Sequence, residues 1–281
     1  MIRIEQLSFG FGKQALFSQL DLELAPGGIY GLLGLNGAGK TSLLKLLAGL
    51  RFPWSGSVRV GEHEPRERAV EFLADLAFVP EVCYVPNQTI GSFVDSYAPF
   101  YPRFEHERYA GYLAEFGLKP EQNLSKLSHG QEKKATLAFA LSCGARLLLL
   151  DEPSNGLDIP SKSQLRQVLA GAVREDRVIV ISTHQVRDLE ALIDPVVILH
   201  EGRIIFNHSL AQIAKRLAYR TLDADPTGAA DVLYAEPQLG VWHAVCRRGA
   251  DAEAPPPELE LLFKAAIRAP QALVQLFREE A

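Results

Sequence analysis

The sequence has too little of several things to support several kinds of protein. Its three cysteines, Cys83, Cys143 and Cys246, stand far apart with no paired spacing. That argues against a disulfide framework or a zinc pattern and fits buried thiols in a reducing compartment. Basic residues are not in excess: 29 Lys and Arg face 34 Asp and Glu, for a formal net charge of −5. A dedicated nucleic-acid binder ordinarily carries a basic stripe, and none is visible. No stretch approaches the ~18–20 apolar residues that span a bilayer. The opening MIRIEQLSFG lacks the basic-then-apolar pattern of an export signal. If the protein works at a membrane, another chain is expected to supply the span. Internal repeats and long low-complexity tracts are also missing.

What is present is a chain of 281 residues, enough for one substantial core and a smaller appendage. Ile2, Ile4 and Leu7, then Leu20, Leu22 and Leu24, alternate as two half-buried strands. Ile29–Leu33, Leu76–Val79, Leu147–Leu150, Val178–Ser182 and Val196–Leu199 are short apolar runs of the kind found in buried parallel strands. Val58–Val60 reads as an edge strand after a turn at Trp54–Ser57. Helical spacing covers Thr41–Leu50, Thr89–Tyr97, Glu105–Phe116, Gly130–Ser142 and Lys162–Arg174. The alternation predicts an α/β core with a parallel sheet and a helical insertion at about 87–143. Composition shifts after Leu210. There, Asp223–Ala230 reads as loop, Asp231–Ala235 and Gly240–Arg247 as a hairpin, Ala254–Pro257 as a linker, and the remainder as two short helices. Residues 1–210 and 211–281 are therefore expected to form a main domain and an extension.

Gly34-Leu35-Asn36-Gly37-Ala38-Gly39-Lys40-Thr41-Ser42 contains G-x-x-x-x-G-K-[ST] between an expected strand and an expected helix. Glycines there let the backbone approach a ligand closely. Successive N–H groups then converge on phosphate oxygens at a helix N-terminus. Lys40 is placed to reach the terminal phosphates and Thr41 to offer its hydroxyl to Mg²⁺. The motif alone fits kinases, GTPases and helicases equally well. The second acidic motif is the apolar run Leu147–Leu150 ending in Asp151-Glu152-Pro153. Ligands gather at the carboxyl ends of strands in open parallel sheets. Asp151 is thus a candidate for Mg²⁺, and Glu152 a candidate for orienting or deprotonating water.

Between these motifs, Leu127-Ser128-His129-Gly130-Gln131 resembles the LSGGQ signature of ATP-binding-cassette (ABC) proteins, with His129 in place of the first glycine. Ser154–Asp158 resembles the family's D-loop, although Asp158 also suits a helix N-cap. His184 resembles its switch histidine, and Phe11 before Gly12 stands at the adenine-stacking position, although core packing would also suit it. Where the family has a glutamine after a strand, this chain has Glu81, with Gln88 as the competing candidate. The resemblance covers roughly residues 1–210. It implies a P-loop NTPase (RecA-like) core with an N-terminal antiparallel β subdomain, an inserted helical subdomain and a small C-terminal α+β extension. ATP and Mg²⁺ are the implied ligands. Ser128, Gly130 and Gln131 of one cassette are implied to meet ATP held by another, so a second cassette is expected, in a homodimer or a heterodimer, with the homodimer favoured. The run Tyr97–Phe104 and Ser182–Val186 resemble cassettes of bacterial ABC-2-type exporters. That implies a motor subunit at the inner face of the cell membrane, joined to a separate transmembrane subunit, with no nucleic-acid partner. A soluble ABC switch on a ribosome or nucleic acid is the alternative. A small-molecule kinase is a further one, less favoured because it would not need the signature sequence.

Overall fold

The computed structural model describes residues 1–226, 228–249 and 257–278. The chain opens on a hairpin of β1 (Ile2–Phe11) and β2 (Gln14–Leu24), with Gly12 in the turn at φ 59°. β3 (Ile29–Leu33) follows, buried at every position, and leads through a loop into α1 (Lys40–Leu47). β4 (Ser55–Val60) returns to pair with β1, giving an antiparallel sheet in the order β2-β1-β4. It begins inside the expected Trp54–Ser57 turn, because Gly56 takes φ 83° and carries the pairing past it. The short α2 (Val70–Ala74) leads into β5 (Leu76–Val79).

Three helices come next: α3 (Ile90–Tyr97), α4 (His106–Glu115) and α5 (His129–Ser142). Thr89 caps α3 by accepting from the Ser92 N–H at 3.1 Å. The rings of Phe93, Tyr101 and Phe104 gather on Phe139 of α5, with centroids 5.0, 5.7 and 5.3 Å away. Aromatic contacts of this kind stabilise beyond the area they bury.

The chain then builds the central sheet from β6 (Leu147–Asp151), α6 (Ile159–Ala170), β7 (Val178–Thr183), β8 (Val196–His200) and β9 (Arg203–His208). Its order is β5-β6-β7-β3-β8-β9, parallel except for β9, which runs antiparallel to β8 at the edge. Alternate residues supply two cores. Leu148, Leu150, Ile179 and Ile181 face the helical insertion and α6, while Leu147, Leu149, Val178 and Val180 face α1 and the antiparallel sheet. Burial on both faces is why these strands read as unbroken apolar runs. α6 begins at Ile159, earlier than its apolar spacing indicates. Asp158 caps it, accepting from Ser161 N at 2.9 Å, and Pro160 stands in the first turn.

The C-terminal region adds α7 (Leu210–Arg216), β10 (Leu217–Leu222), β11 (Val232–Gln238), β12 (Val241–Arg247), α8 (Leu259–Arg268) and α9 (Pro270–Arg278). β11 and β12 form the expected hairpin, and β10 joins it in the order β10-β12-β11. The expected linker lies, apart from Pro257, outside the described residues. Tyr219, Val245, Leu259, Leu262 and Phe277 share one core with Ile198 and Phe206 of the central sheet. The extension is thus packed into the main body. Cys143 and Cys246 are buried as expected, while Cys83 is half-buried. Among the described residues, no helix is long and apolar enough to cross a membrane.

Candidate nucleotide site

The loop after β3 wraps the head of α1. Gly37 takes φ 81° and Gly39 φ 106°, conformations that L side chains rarely adopt. A Cβ on Gly39 would stand 2.7 Å from the Phe17 ring, so the position also requires glycine for space. The loop ends at the head of α1, where Gly39 is the N-cap, and a helix N-terminus of this kind suits an anion. Lys40, 7% exposed, folds back over it: its Nζ donates to Gly34 O at 2.9 Å and Leu35 O at 3.4 Å.

β6 brings Asp151 and Glu152 to the same end of the sheet. Both are buried. Ser182, on neighbouring β7, donates from Oγ to Asp151 Oδ1 at 2.6 Å. The N–H of Glu152 donates to Ser182 O and Oγ, both at 3.1 Å. Glu152 itself sits at φ 46°, a left-handed conformation that is strained for a residue with a Cβ. Its Oε1 lies 2.8 Å from His184 Nδ1 and 3.5 Å from Lys40 Nζ. Three residues far apart in sequence therefore meet at one carboxylate.

Around them is a cavity of about 630 Å³. Phe11, Leu35, Asn36, Gly37, Gly39, Lys40, Thr41, Ser42, Glu81, Glu152 and His184 line it. Phe11 is 53% exposed, so core packing does not explain it. Of the two candidates near β5, Glu81 is in the lining and Gln88 is not. Glu81 Oε1 accepts from Asn155 Nδ2 at 3.1 Å. Gly34 and Ala38 belong to the loop but not to the lining, and Asp151 sits behind Glu152.

Ser128, Gly130 and Gln131 lie apart from this cavity, at the head of α5. There Ser128 Oγ accepts from the Gln131 N–H at 3.3 Å, and Gln131 Oε1 accepts from the Ser128 N–H at 3.0 Å. This reciprocal pair is a capping box. His129 is exposed and abuts the next loop: a Cβ on Gly156 would stand 3.1 Å from its Cδ2.

Two features were not anticipated from sequence. Gln14, Ala15 and Leu16 of β2 form part of the cavity wall. Only the β1–β2 register, with Phe11 opposite Gln14, brings them there. Lys133, in the second turn of α5, is 1% exposed and donates to Glu81 O at 2.8 Å and Glu152 O at 3.0 Å. Burial pushes its ammonium pKa down, opposed by Cys83, Glu81, Asp151 and Glu152. The same burial pushes the Cys83 thiol up.

A glycine-rich loop between a buried parallel strand and a helix, with paired acids ending the next strand but one, defines a P-loop nucleoside triphosphatase. Comparison with known proteins narrows this. Residues 17–155 match the family model described as ABC transporter. The bacitracin transport ATP-binding protein BcrA of Bacillus licheniformis is 30% identical over 231 residues, covering 79% of this chain and 76% of the relative. The aliphatic sulfonates import ATP-binding protein SsuB 2 of Rhodococcus jostii is 33% identical over 207 residues, covering 73% and 80%. A solved ATP-binding subunit of an ABC transporter superposes with a TM-score of 0.70 at 26% identity, covering 76% of this chain and 91% of that one. The chain belongs to the ABC transporter family, as an ATP-binding, ATP-hydrolysing cassette.

Proposed function

We propose that the cavity holds ATP with Mg²⁺ and that hydrolysis there drives a transporter whose membrane-spanning part is a separate subunit. The observation that carries this is the convergence of Lys40, Glu152 and His184 beside the glycine loop. Phe11 stacks on the adenine at the open end. The N–H groups of the Gly34–Ser42 segment and the Lys40 ammonium hold the phosphates. The donors present suit a hard divalent cation. They are the Thr41 hydroxyl, the Glu81 carboxylate and the Asp151 carboxylate, whose Oδ1 accepts from Ser182 Oγ. Mg²⁺ needs no closed protein cage, since it keeps several waters and takes one or two carboxylates. Once bound there, it would neutralise charge on the phosphates. Glu152 accepts the proton of the attacking water, and His184 holds the Glu152 carboxylate in place.

Ser128, Gly130 and Gln131 have no place in this chain's own cavity, which supports a site completed by a second copy. In that homodimer the head of α5 from one chain closes on the ATP of the other. Val82, Tyr84 and Phe100 are exposed apolar side chains, 54%, 94% and 70% accessible, beside the Glu81 loop and α3. Exposed apolar side chains of this kind suit burial against a protein partner, here the transmembrane subunit. Docking there would hold the protein on the inner face of the cell membrane. The likeness of Tyr97–Phe104 and Ser182–Val186 to ABC-2-type cassettes favours an exporter of that type. We assign residues 1–210 to the motor and 211–281 to an extension packed on it.

The test is Glu152→Gln. The variant is expected to lose phosphate release while still forming an ATP-dependent dimer in size-exclusion chromatography. Turnover at the parent rate would remove Glu152 from the mechanism. Purification from detergent-solubilised membranes is expected to recover a multi-span partner.

A further inference from the structure

Lys133 is a buried cation that the mechanism above does not use. A lysine with 1% exposure is rare, because moving an ammonium out of water is costly unless it is paired or hydrogen-bonded. Among the described residues Lys133 has no salt-bridge partner. Its Nζ instead donates to two main-chain carbonyls, Glu81 O at 2.8 Å and Glu152 O at 3.0 Å. The side chains of those same two residues line the nucleotide cavity.

The geometry at Glu152 makes the contact consequential. Its φ of 46° is unfavourable for any residue with a Cβ, so the surroundings must enforce it. Ser182 holds the peptide from the N–H side through O and Oγ. Lys133 holds it from the carbonyl side. Fixed at both ends, the residue has little freedom except in its side chain. Oε1 then sits 2.8 Å from His184 Nδ1 and 3.5 Å from Lys40 Nζ.

Lys133 also belongs to α5, which begins at His129 with Ser128 as its cap. One rigid helix thus carries the signature residues at its tip and this ammonium a turn further on. A displacement of α5 would pull on both carbonyls together.

We propose that Lys133 is a positioning residue for ATP hydrolysis, clamping the Glu81 and Glu152 carbonyls so that the Glu152 carboxylate is set for water attack and tied to α5. This rests on Glu152 being the base. Lys133 is not part of the cavity lining, and its effect is exerted through Glu152.

The test compares Lys133→Met and Lys133→Gln in the full-length protein. Methionine keeps the apolar stem and removes the donors, whereas the glutamine amide keeps two N–H groups on a shorter chain. ATP affinity, kcat and thermal midpoint are measured for each. A small misplacement of a reacting group can lower rate by up to ~100-fold. Lys133→Met is therefore expected to lose about 10- to 100-fold in kcat, while ATP affinity stays within about threefold, a shift of under ~1 kcal/mol. Lys133→Gln is expected to recover part of the lost kcat. Parent-like kcat in Lys133→Met would overturn the proposal. So would an equal loss of kcat and affinity in both variants, which marks a merely structural lysine. Should Lys133→Met fail to fold, the same split in Lys133→Gln decides: kcat lowered with affinity kept supports the role, and any other result overturns it. Glu152→Gln, run alongside, separates the two ideas. If it keeps turnover, the assignment of Glu152 fails; if it loses turnover while the Lys133 variants are normal, only the positioning role fails.

Discussion

Lys40 is bound to the groups around it, and this predicts that Glu152→Gln tightens nucleotide binding as well as stopping turnover. The ammonium lies 3.5 Å from Glu152 Oε1, and the two side chains are only 8% and 6% exposed. At an effective dielectric of about 20, Coulomb's law gives roughly 5 kcal/mol of attraction at that separation. Most of it is offset by the cost of removing both charges from water. Phosphates entering the loop compete for the same ammonium and also meet the Glu152 negative charge. Glutamine removes that charge while keeping shape and an amide oxygen for the His184 N–H. If about 1.4 kcal/mol of the raw attraction survives as a penalty on binding, affinity should rise about tenfold. Calorimetric titration with ADP is the decisive assay, and ATP the companion. A gain seen only with ATP would come from dimer closure. A gain shared by ADP comes from releasing Lys40. Unchanged or weaker ADP binding in Glu152→Gln would refute the electrostatic argument. Because the pair is buried, moderate salt should change the difference little.

Two further predictions concern stability. Ser182→Ala removes the 2.6 Å hydrogen bond to Asp151 but leaves Glu152 N–H its bond to Ser182 O. Bonds to charged groups contribute ~1.5–3 kcal/mol, so urea unfolding without nucleotide should show a loss of that size; a change below about 0.5 kcal/mol would show that the bond does not matter. His208 ends β9 and stacks on Phe277 of α9 at 4.3 Å. Burial first, then Arg216, lowers its pKa from the usual 6.5. As pH falls through 6.5 the unfolded chain takes the proton before the folded one, so stability is lost downward through the folded pKa. His208→Gln should flatten this part of a pH series of thermal midpoints between 7.5 and 5, and identical slopes would refute the role.

Much of the fold could be read from sequence wherever one strand or loop carries its own signal. Gly37 and Gly39 need positive φ, and buried parallel strands need unbroken apolar runs, so both features are local. β9 and β10 escaped notice for the opposite reason. β9 is a half-buried edge strand, and β10 begins at Leu217, directly after α7, with no glycine or proline between them. Lys133 was invisible because Glu132-Lys133-Lys134 has the composition of a solvated helix face. Only the positions of the Glu81 and Glu152 carbonyls show that one of these charges points inward. Gln14, Ala15 and Leu16 reach the cavity through hairpin register, which composition does not encode.

The arrangement of charges also bears on how turnover is kept in step with binding. In the proposed mechanism Glu152 must accept a proton, yet its Oε1 is shared between His184 and Lys40. Phosphates at the glycine loop would draw Lys40 toward themselves and free that oxygen, so the substrate would prepare its own base. The signature residues are constrained in parallel: Ser128 and Gln131 satisfy each other until a second chain arrives. Each half of the composite site therefore rests in a self-satisfied state, and hydrolysis would require both to be released. Idle turnover by a single chain would then be slow without any dedicated inhibitor.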